Sequence, residues 1–203
     1  MIQLLISQPT PRPESINELW FAIWNCFVVV PAAIAALEAP VGKGQRLPAT
    51  PFLSGSAFFG YFALGPYFAT RTVRDVDEVE LTEYDMGWFS RTVFENRLFG
   101  VLFSCIALSI PVSSELLTCD WSHVLPGFVE LIQSSRFVAV ASIDIVIMSI
   151  LAGILVGEDS KRRGWDDKST ILTVVSILLP VITPCLYLAA RPSLPQPEEQ
   201  YEQ

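Results

Sequence analysis

The sequence predicts an all-α integral membrane protein, a bundle of about five transmembrane helices of which several are kinked by proline. Three observations carry that reading: the apolar content, the segregation of charge, and the length of the apolar runs. Hydrophobic residues make up 51% of the 203-residue chain, and the mean hydropathy is +0.45. Five apolar segments (19–37, 52–70, 98–114, 137–156 and 169–190) hold one charged residue, Asp144, and the other 33 charges fall between them. A soluble domain spreads charge over all its elements, whereas a membrane protein confines it to the loops. Soluble globular, disulfide-rich secreted and nucleic-acid-binding classes are disfavoured on this ground.

Residues 1–18 form a polar N-terminal segment with Pro9, Pro11 and Pro13 and no basic cluster, which does not read as a cleavable signal or transit peptide. Either the chain is made where it works or a presequence has been removed. Segments 19–37, 52–70, 137–156 and 169–190 each have the roughly 17–25 apolar residues that a helix needs to cross a bilayer core of about 30 Å. Segment 98–114 is shorter, with Pro111 near its end, and reads as a short crossing or a re-entrant element. None of the five alternates polar and apolar residues as a barrel strand would. Pro31, Pro66, Pro111, Pro180 and Pro184 lie inside the spans, where each removes a helix hydrogen bond. In 52–70, Gly55, Gly60 and Gly65 with Ser54 and Ser56 allow another helix to approach closely, or leave a gap for a flat pigment or a lipid.

Five crossings would place Arg12, Arg71, Arg74, Arg91, Arg97, Lys161, Arg162, Arg163 and Lys168 on the side of the N-terminus. Lys43, Arg46, Arg136 and Arg191 would lie opposite. Positive-inside bias then sets the N-terminus in the cytoplasm or stroma and the C-terminus across the membrane. Tyr67-Phe-Ala-Thr-Arg71 and Tyr187-Leu-Ala-Ala-Arg191 echo one another at the ends of two spans. This topology puts the two copies on opposite faces, as an inverted repeat would, although membrane interfaces select Tyr and Arg in any case. The 71–97 loop carries seven acids against four arginines and is long enough to meet a neighbouring protein. Residues 115–136 are half apolar and read as an interfacial segment. Residues 192–203 form an acidic, Pro-rich tail.

Few residues offer chemistry. Asp144, inside a span, reads as a proton, ion or cofactor-metal site, or as an acid holding two helices together. His123 is the only histidine, so multi-histidine metal and haem sites are excluded by count. A single axial bond to a chlorophyll magnesium remains open to Asn25, Glu38, His123 and Asp144. Cys26, Cys105, Cys119 and Cys185 are scattered, with no C-x-x-C, and read as small hydrophobes, with Cys119 as the exposed thiol. No nucleophile–base pair, phosphate loop or dinucleotide fingerprint appears. Glu95-Asn96-Arg97 lacks the spacing of a light-harvesting antenna helix.

Several segments together resemble a family of small multi-span membrane proteins of cyanobacteria and plastids. The residues are Gly60-Tyr-Phe-Ala-Leu-Gly-Pro-Tyr67 with Arg71, Glu95-Asn-Arg-Leu-Phe-Gly100, Arg136-Phe-Val with Ser142-Ile-Asp144, Gly157-Glu-Asp159 with Arg162-Arg-Gly-Trp165, and Tyr187-Leu with Arg191-Pro192. The likeness covers about residues 20–192. Two positions after Phe137 that family tends to carry histidine, and this chain has Ala139. The resemblance implies a thylakoid membrane and supplies no catalytic residue. The expected function is a non-catalytic accessory subunit of a photosynthetic supercomplex, by preference photosystem I with its antenna. Its expected partners are other integral membrane subunits and lipids, and its expected cofactors are chlorophyll and carotenoid. The alternatives are a membrane enzyme or proton-linked carrier using Asp144, and an assembly factor.

Overall fold

A computed structural model describes residues 16–42, 44–72 and 86–194. Those residues are helical, with no strand among them. The order is α1 (Glu18–Glu38), α2 (Ala49–Phe59), α3 (Tyr61–Thr70), α4 (Arg97–Ser113), α5 (Trp121–Ser134), α6 (Arg136–Arg162), α7 (Asp166–Leu178) and α8 (Ile182–Ala190). A single wide π turn, Ser90–Phe94, precedes α4. The sequence-predicted N-terminal segment, most of the acidic part of the 71–97 loop and most of the tail lie outside the described residues.

Two helices are long and apolar enough to cross a membrane: α1 with its following turn, Glu18–Val41, and α6. They pack together at the centre, where Val29, Val30, Ile34 and Leu37 meet Met148, Ala152, Leu155 and Val156, all buried. The caps follow the sequence. Asn17 accepts from the Trp20 N–H at 3.1 Å and starts α1; Ser135 accepts from the Val138 N–H and starts α6. Lys161 and Arg162 occupy the last turn of α6, where the helix dipole favours cations. The apolar helix α4 lies against α8, and the crossing is close. A Cβ on Gly100 would overlap the backbone of Leu188 and Ala189, so only glycine fits there. Helix α5 is amphipathic. It is tied to α1 by Asn17 Nδ2 donating to the Val124 carbonyl at 2.8 Å.

Segments 52–70 and 169–190 differ from the sequence expectation. Each is two half-helices folded back on each other rather than one continuous span. The first reverses at Gly60, whose φ of 57° and ψ of −138° suit glycine. Its two feet are joined: the Gln45 side chain accepts from the Thr72 N–H at 3.0 Å and donates to the Thr72 carbonyl at 3.1 Å. The second reverses over Leu179–Val181. Pro180 has no N–H to continue α7, and it biases Leu179 away from helical backbone. Its feet are joined by Arg163 donating to the Pro192 carbonyl at 2.6 Å. Pro31, Pro66 and Pro111 remain inside their helices, and Pro180 is the one at a reversal.

Candidate functional site

Folding each hairpin back brings its second foot to the end of the preceding long helix, and charged residues from five places meet there. Glu38 closes α1, Arg71 caps α3, Glu95 precedes α4, and Arg191 caps α8. The last turns of α6 supply Glu158, Asp159, Arg162 and Arg163. Four carboxylates thus face four guanidiniums, and the charge balances.

The first half centres on Glu38, whose side chain is 0% exposed. Its Oε1 accepts from the Tyr67 hydroxyl at 2.6 Å and from Arg71 Nε at 2.8 Å. Arg71 also donates to both oxygens of Glu158, and Arg162 donates to Glu158 Oε2 at 3.0 Å. The second half centres on Asp159, whose side chain is 1% exposed. Its Oδ2 accepts from the Tyr187 hydroxyl at 2.9 Å, Arg191 Nη1 at 3.0 Å and Arg163 Nε at 2.8 Å. Arg163 makes a second, two-pronged pair with Glu95 at 2.8 and 2.9 Å, and Arg191 reaches Glu95 Oε1 at 2.7 Å. The Phe94 carbonyl accepts from Arg191 at 3.0 Å.

The two halves are copies of one arrangement. From acid to tyrosine the separation is 29 residues in the first and 28 in the second. From acid to arginine it is 33 and 32. Each copy is a long helix with an acid in its last turn, a short connection, and a reversed pair of half-helices ending in Tyr-x-x-x-Arg. In each, one acid oxygen takes the bonds from the tyrosine and the arginine, and the other, Glu38 Oε2 or Asp159 Oδ1, takes none among the described residues. The echo seen in the sequence is therefore part of a tandem repeat. Both copies lie at the same end of the bundle, which corrects the expectation that Arg71 and Arg191 occupy opposite faces.

Chemically this is a clamp. Burial by itself pulls the Arg71 and Arg163 pKa values down. For Arg71 the bonds and charges of Glu158 and Glu38 outweigh that, and for Arg163 those of Asp159 and Glu95 do, so both stay above the ordinary arginine value. Removing one partner from such a cluster leaves an uncompensated buried charge, at a typical cost of about 3–5 kcal/mol.

The residues singled out from sequence as ligands are not brought together. Glu38 is engaged in the clamp. Asp144 sits one third of the way along α6, and its Oδ1 accepts from the Tyr61 N–H, the first of α3, at 2.7 Å. A carboxylate there is favoured by the positive end of the half-helix. A Cβ on Gly60 would overlap that carboxylate, so the tip and Asp144 require each other. Asn25 donates to the Phe21 carbonyl one turn back at 2.7 Å. His123 is exposed on α5, 3.6 Å from Asp120. The cysteines are all free; Cys105, on the outer face of α4, is the exposed one, and Cys119 is half-buried. Among the described residues no group of three or more His, Cys, Asp or Glu is arranged to hold a metal.

Sequence reasoning missed the clamp as a site. Arg71, Glu95, Asp159, Arg163, Tyr187 and Arg191 were each visible, but as loop charges and interface residues. The signal that finds Arg71, Asp159, Tyr187 and Arg191 is an acid 28–29 residues before each Tyr-x-x-x-Arg. Comparisons with protein-family models, with curated proteins and with solved structures give no match.

Proposed function

We propose that the chain is a non-catalytic structural subunit of a membrane assembly. The observation that carries this reading is a belt of exposed apolar side chains around a bundle in which the buried charges of the clamp are paired with one another and Asp144 is taken up by a backbone N–H. Phe58 at the first hairpin tip is 85% exposed, Leu98 on α4 is 72% and Ile143 on α6 is 61%. Outward apolar surface on this scale marks contact with lipid or with protein partners. The clamp and Asp144 are occupied by partners within the chain, which leaves them to hold helices rather than to turn over a substrate.

In this reading α1, α4 and α6 cross the bilayer, and the two hairpins enter from the clamp side and return to it. Irregular backbone at a hairpin tip is tolerated in a membrane where protein surrounds it, and the Asp144–Tyr61 bond supplies such a partner. Among the described residues, Arg46, Arg71, Arg91, Arg97, Lys161, Arg162, Arg163, Lys168 and Arg191 then share the clamp side, against Arg136 alone opposite. Positive-inside bias makes the clamp side cytoplasmic or stromal. The start of α1 then lies across the membrane, the reverse of the orientation read from five spans.

The host follows from the sequence resemblance: a thylakoid supercomplex, with photosystem I and its antenna first. A chlorophyll bound directly to the protein would use His123, the candidate ligand that stands open to solvent. The experiment is mild solubilisation of native membranes, a density gradient, and mass spectrometry of each band. Constant stoichiometry with one large complex supports a structural subunit. Migration as a small free particle contradicts it.

A further inference from the structure

We propose that one apolar membrane helix of a partner subunit docks on α6 between α3 and α7, the place that corresponds to the seat of α4 in the other half of the tandem repeat. The proposal rests on the structural-subunit reading above and names the surface through which that subunit is held. Helices α1 and α6 run side by side in the same direction. Trp20 and Trp24 at the start of α1 meet Phe137 at the start of α6, with ring centroids 6.0 and 5.8 Å apart, and both helices end in the clamp. The two copies are thus exchanged by a rotation about an axis along the bundle, and the packing obeys it. Helix α2 lies on α1 as α7 lies on α6, and α8 reaches across to α1 as α3 reaches across to α6. One element breaks the match. Helix α4 covers α8 and α1, and among the described residues no helix takes the corresponding place on α3 and α6.

The contrast holds residue by residue. Counting from the paired Tyr187 and Tyr67, Cys185, Leu188 and Ala189 correspond to Gly65, Phe68 and Ala69. Under α4, Cys185 and Leu188 are buried, and Gly100 lies against the Leu188–Ala189 backbone too closely for a Cβ. On α3, Ala69 is exposed and Gly65 is half-buried. A Cβ on Gly65 would meet only Tyr61 of its own helix, at 3.6 Å, so no other element of the chain requires glycine there. Alanine would favour the helix at that position by about 1 kcal/mol. Gly65 and Ala69 stand four apart on one face, the spacing that lets a second membrane helix approach closely. Round α6, Asp144 marks the side that meets α3, and Gly153 and Gly157 mark the side that α7 crosses at Ile177 and Thr173. Val140, Ile143, Ile147, Ile150 and Ile154 fall in the sector between, and all five are exposed. An apolar ridge beside a small-residue notch matches an apolar helix with a small residue at the crossing, as α4 carries Gly100. Lipid alone suits the place poorly. The hairpin tip beside it exposes Phe58, Phe59 and Phe62, and irregular backbone at membrane depth needs protein around it. A second copy would have to offer the α4 side of its bundle, and such unlike surfaces build open chains or rings rather than a closed pair.

The test places the photo-crosslinker benzoylphenylalanine singly at Ala69, Ile143 and Ile150 of the full chain in native membranes, with the adducts identified by mass spectrometry. All three positions are expected to join the same protein, and that protein is not this chain. Adducts with lipid only, with a second copy only, or with a different protein at each position overturn the proposal. Gly65→Leu with Ala69→Leu fills the notch with residues that favour a helix. The purified variant should melt within a few degrees of the unmutated chain, while the share that migrates with the large complex falls by about tenfold. Undiminished co-migration of the variant overturns the proposal. Migration of the unmutated chain as a small free particle overturns the subunit reading as well, whereas co-migration with lipid adducts only overturns the docking surface alone.

Discussion

The two hairpins carry the same lock and differ in how each is made to turn. In the second, Pro180 stops α7 by chain chemistry alone, and Asp159 binds two arginines that Glu95 also holds. In the first, no proline stands at the tip. Gly60 takes a positive φ, and a carboxylate from another helix, Asp144, receives the exposed N–H of α3. One reversal is encoded locally and the other is completed by tertiary contact. The second hairpin is therefore expected to hold its shape under perturbations that open the first.

That contrast can be broken from either side. The largest effect is expected from Arg163→Ala, which strands Asp159 and Glu95 in a buried site. A loss of about 3–5 kcal/mol is expected, read as a large drop in Tm of the detergent-solubilised protein or as failure to accumulate. Tyr187→Phe deletes one bond to the same carboxylate and should cost about 1 kcal/mol. Gly60→Ala comes between them. It puts a Cβ into the Asp144 carboxylate at a left-handed φ, for about 1–3 kcal/mol. Pairing it with Asp144→Ala relieves the overlap, so the double variant should be less destabilised than the sum of the two singles. Strict additivity would mean that the tip does not rest on Asp144.

Asp144→Asn sharpens the comparison further. Asparagine still accepts from the Tyr61 N–H and loses only the charge that the half-helix dipole favours, an effect of about 0.3–1 kcal/mol. The protein should accumulate and remain in its complex. Normal accumulation together with loss of a transport or enzymatic activity would instead support the carrier alternative. The most local effect is that of Asp120→Ala, which removes the N-cap of α5 at the other end of the bundle. Hydrogen exchange should quicken at Ser122–Val124 and stay unchanged in the clamp.

The helical class, the two long apolar helices α1 and α6, the short apolar α4 and the amphipathic α5 were legible because each follows from periodicity, length or capping. The two reversals were not. Gly60 sits in a run as apolar as a true span, and hydropathy has no direction, so a segment that enters and returns scores like one that crosses. Pro180 looked like one kink among five, since Pro31, Pro66 and Pro111 are accommodated without a break. Counting two folded-back segments as continuous helices put Arg71 and Arg191 on opposite faces and hid the balance of charge in the clamp. Conversely, the motifs that carry the family resemblance converge in space, since Arg71, Glu95, Asp159, Tyr187 and Arg191 all lie in the clamp. Their types were readable in the sequence, whereas their meeting depends on where the chain turns back.

The central claim is that both hairpins return to the side from which they enter, and cysteine labelling tests it most directly. Single cysteines at Gly44, Thr72, Gly164 and Ser193, in a chain with Cys26, Cys105, Cys119 and Cys185 replaced by alanine or serine, would be probed in sealed membrane vesicles with an impermeant maleimide. The account predicts that all four are labelled from one side, and that a cysteine at Ser134 is labelled from the other. Labelling of positions 44 and 72, or of 164 and 193, from opposite sides would contradict it and restore the continuous spans.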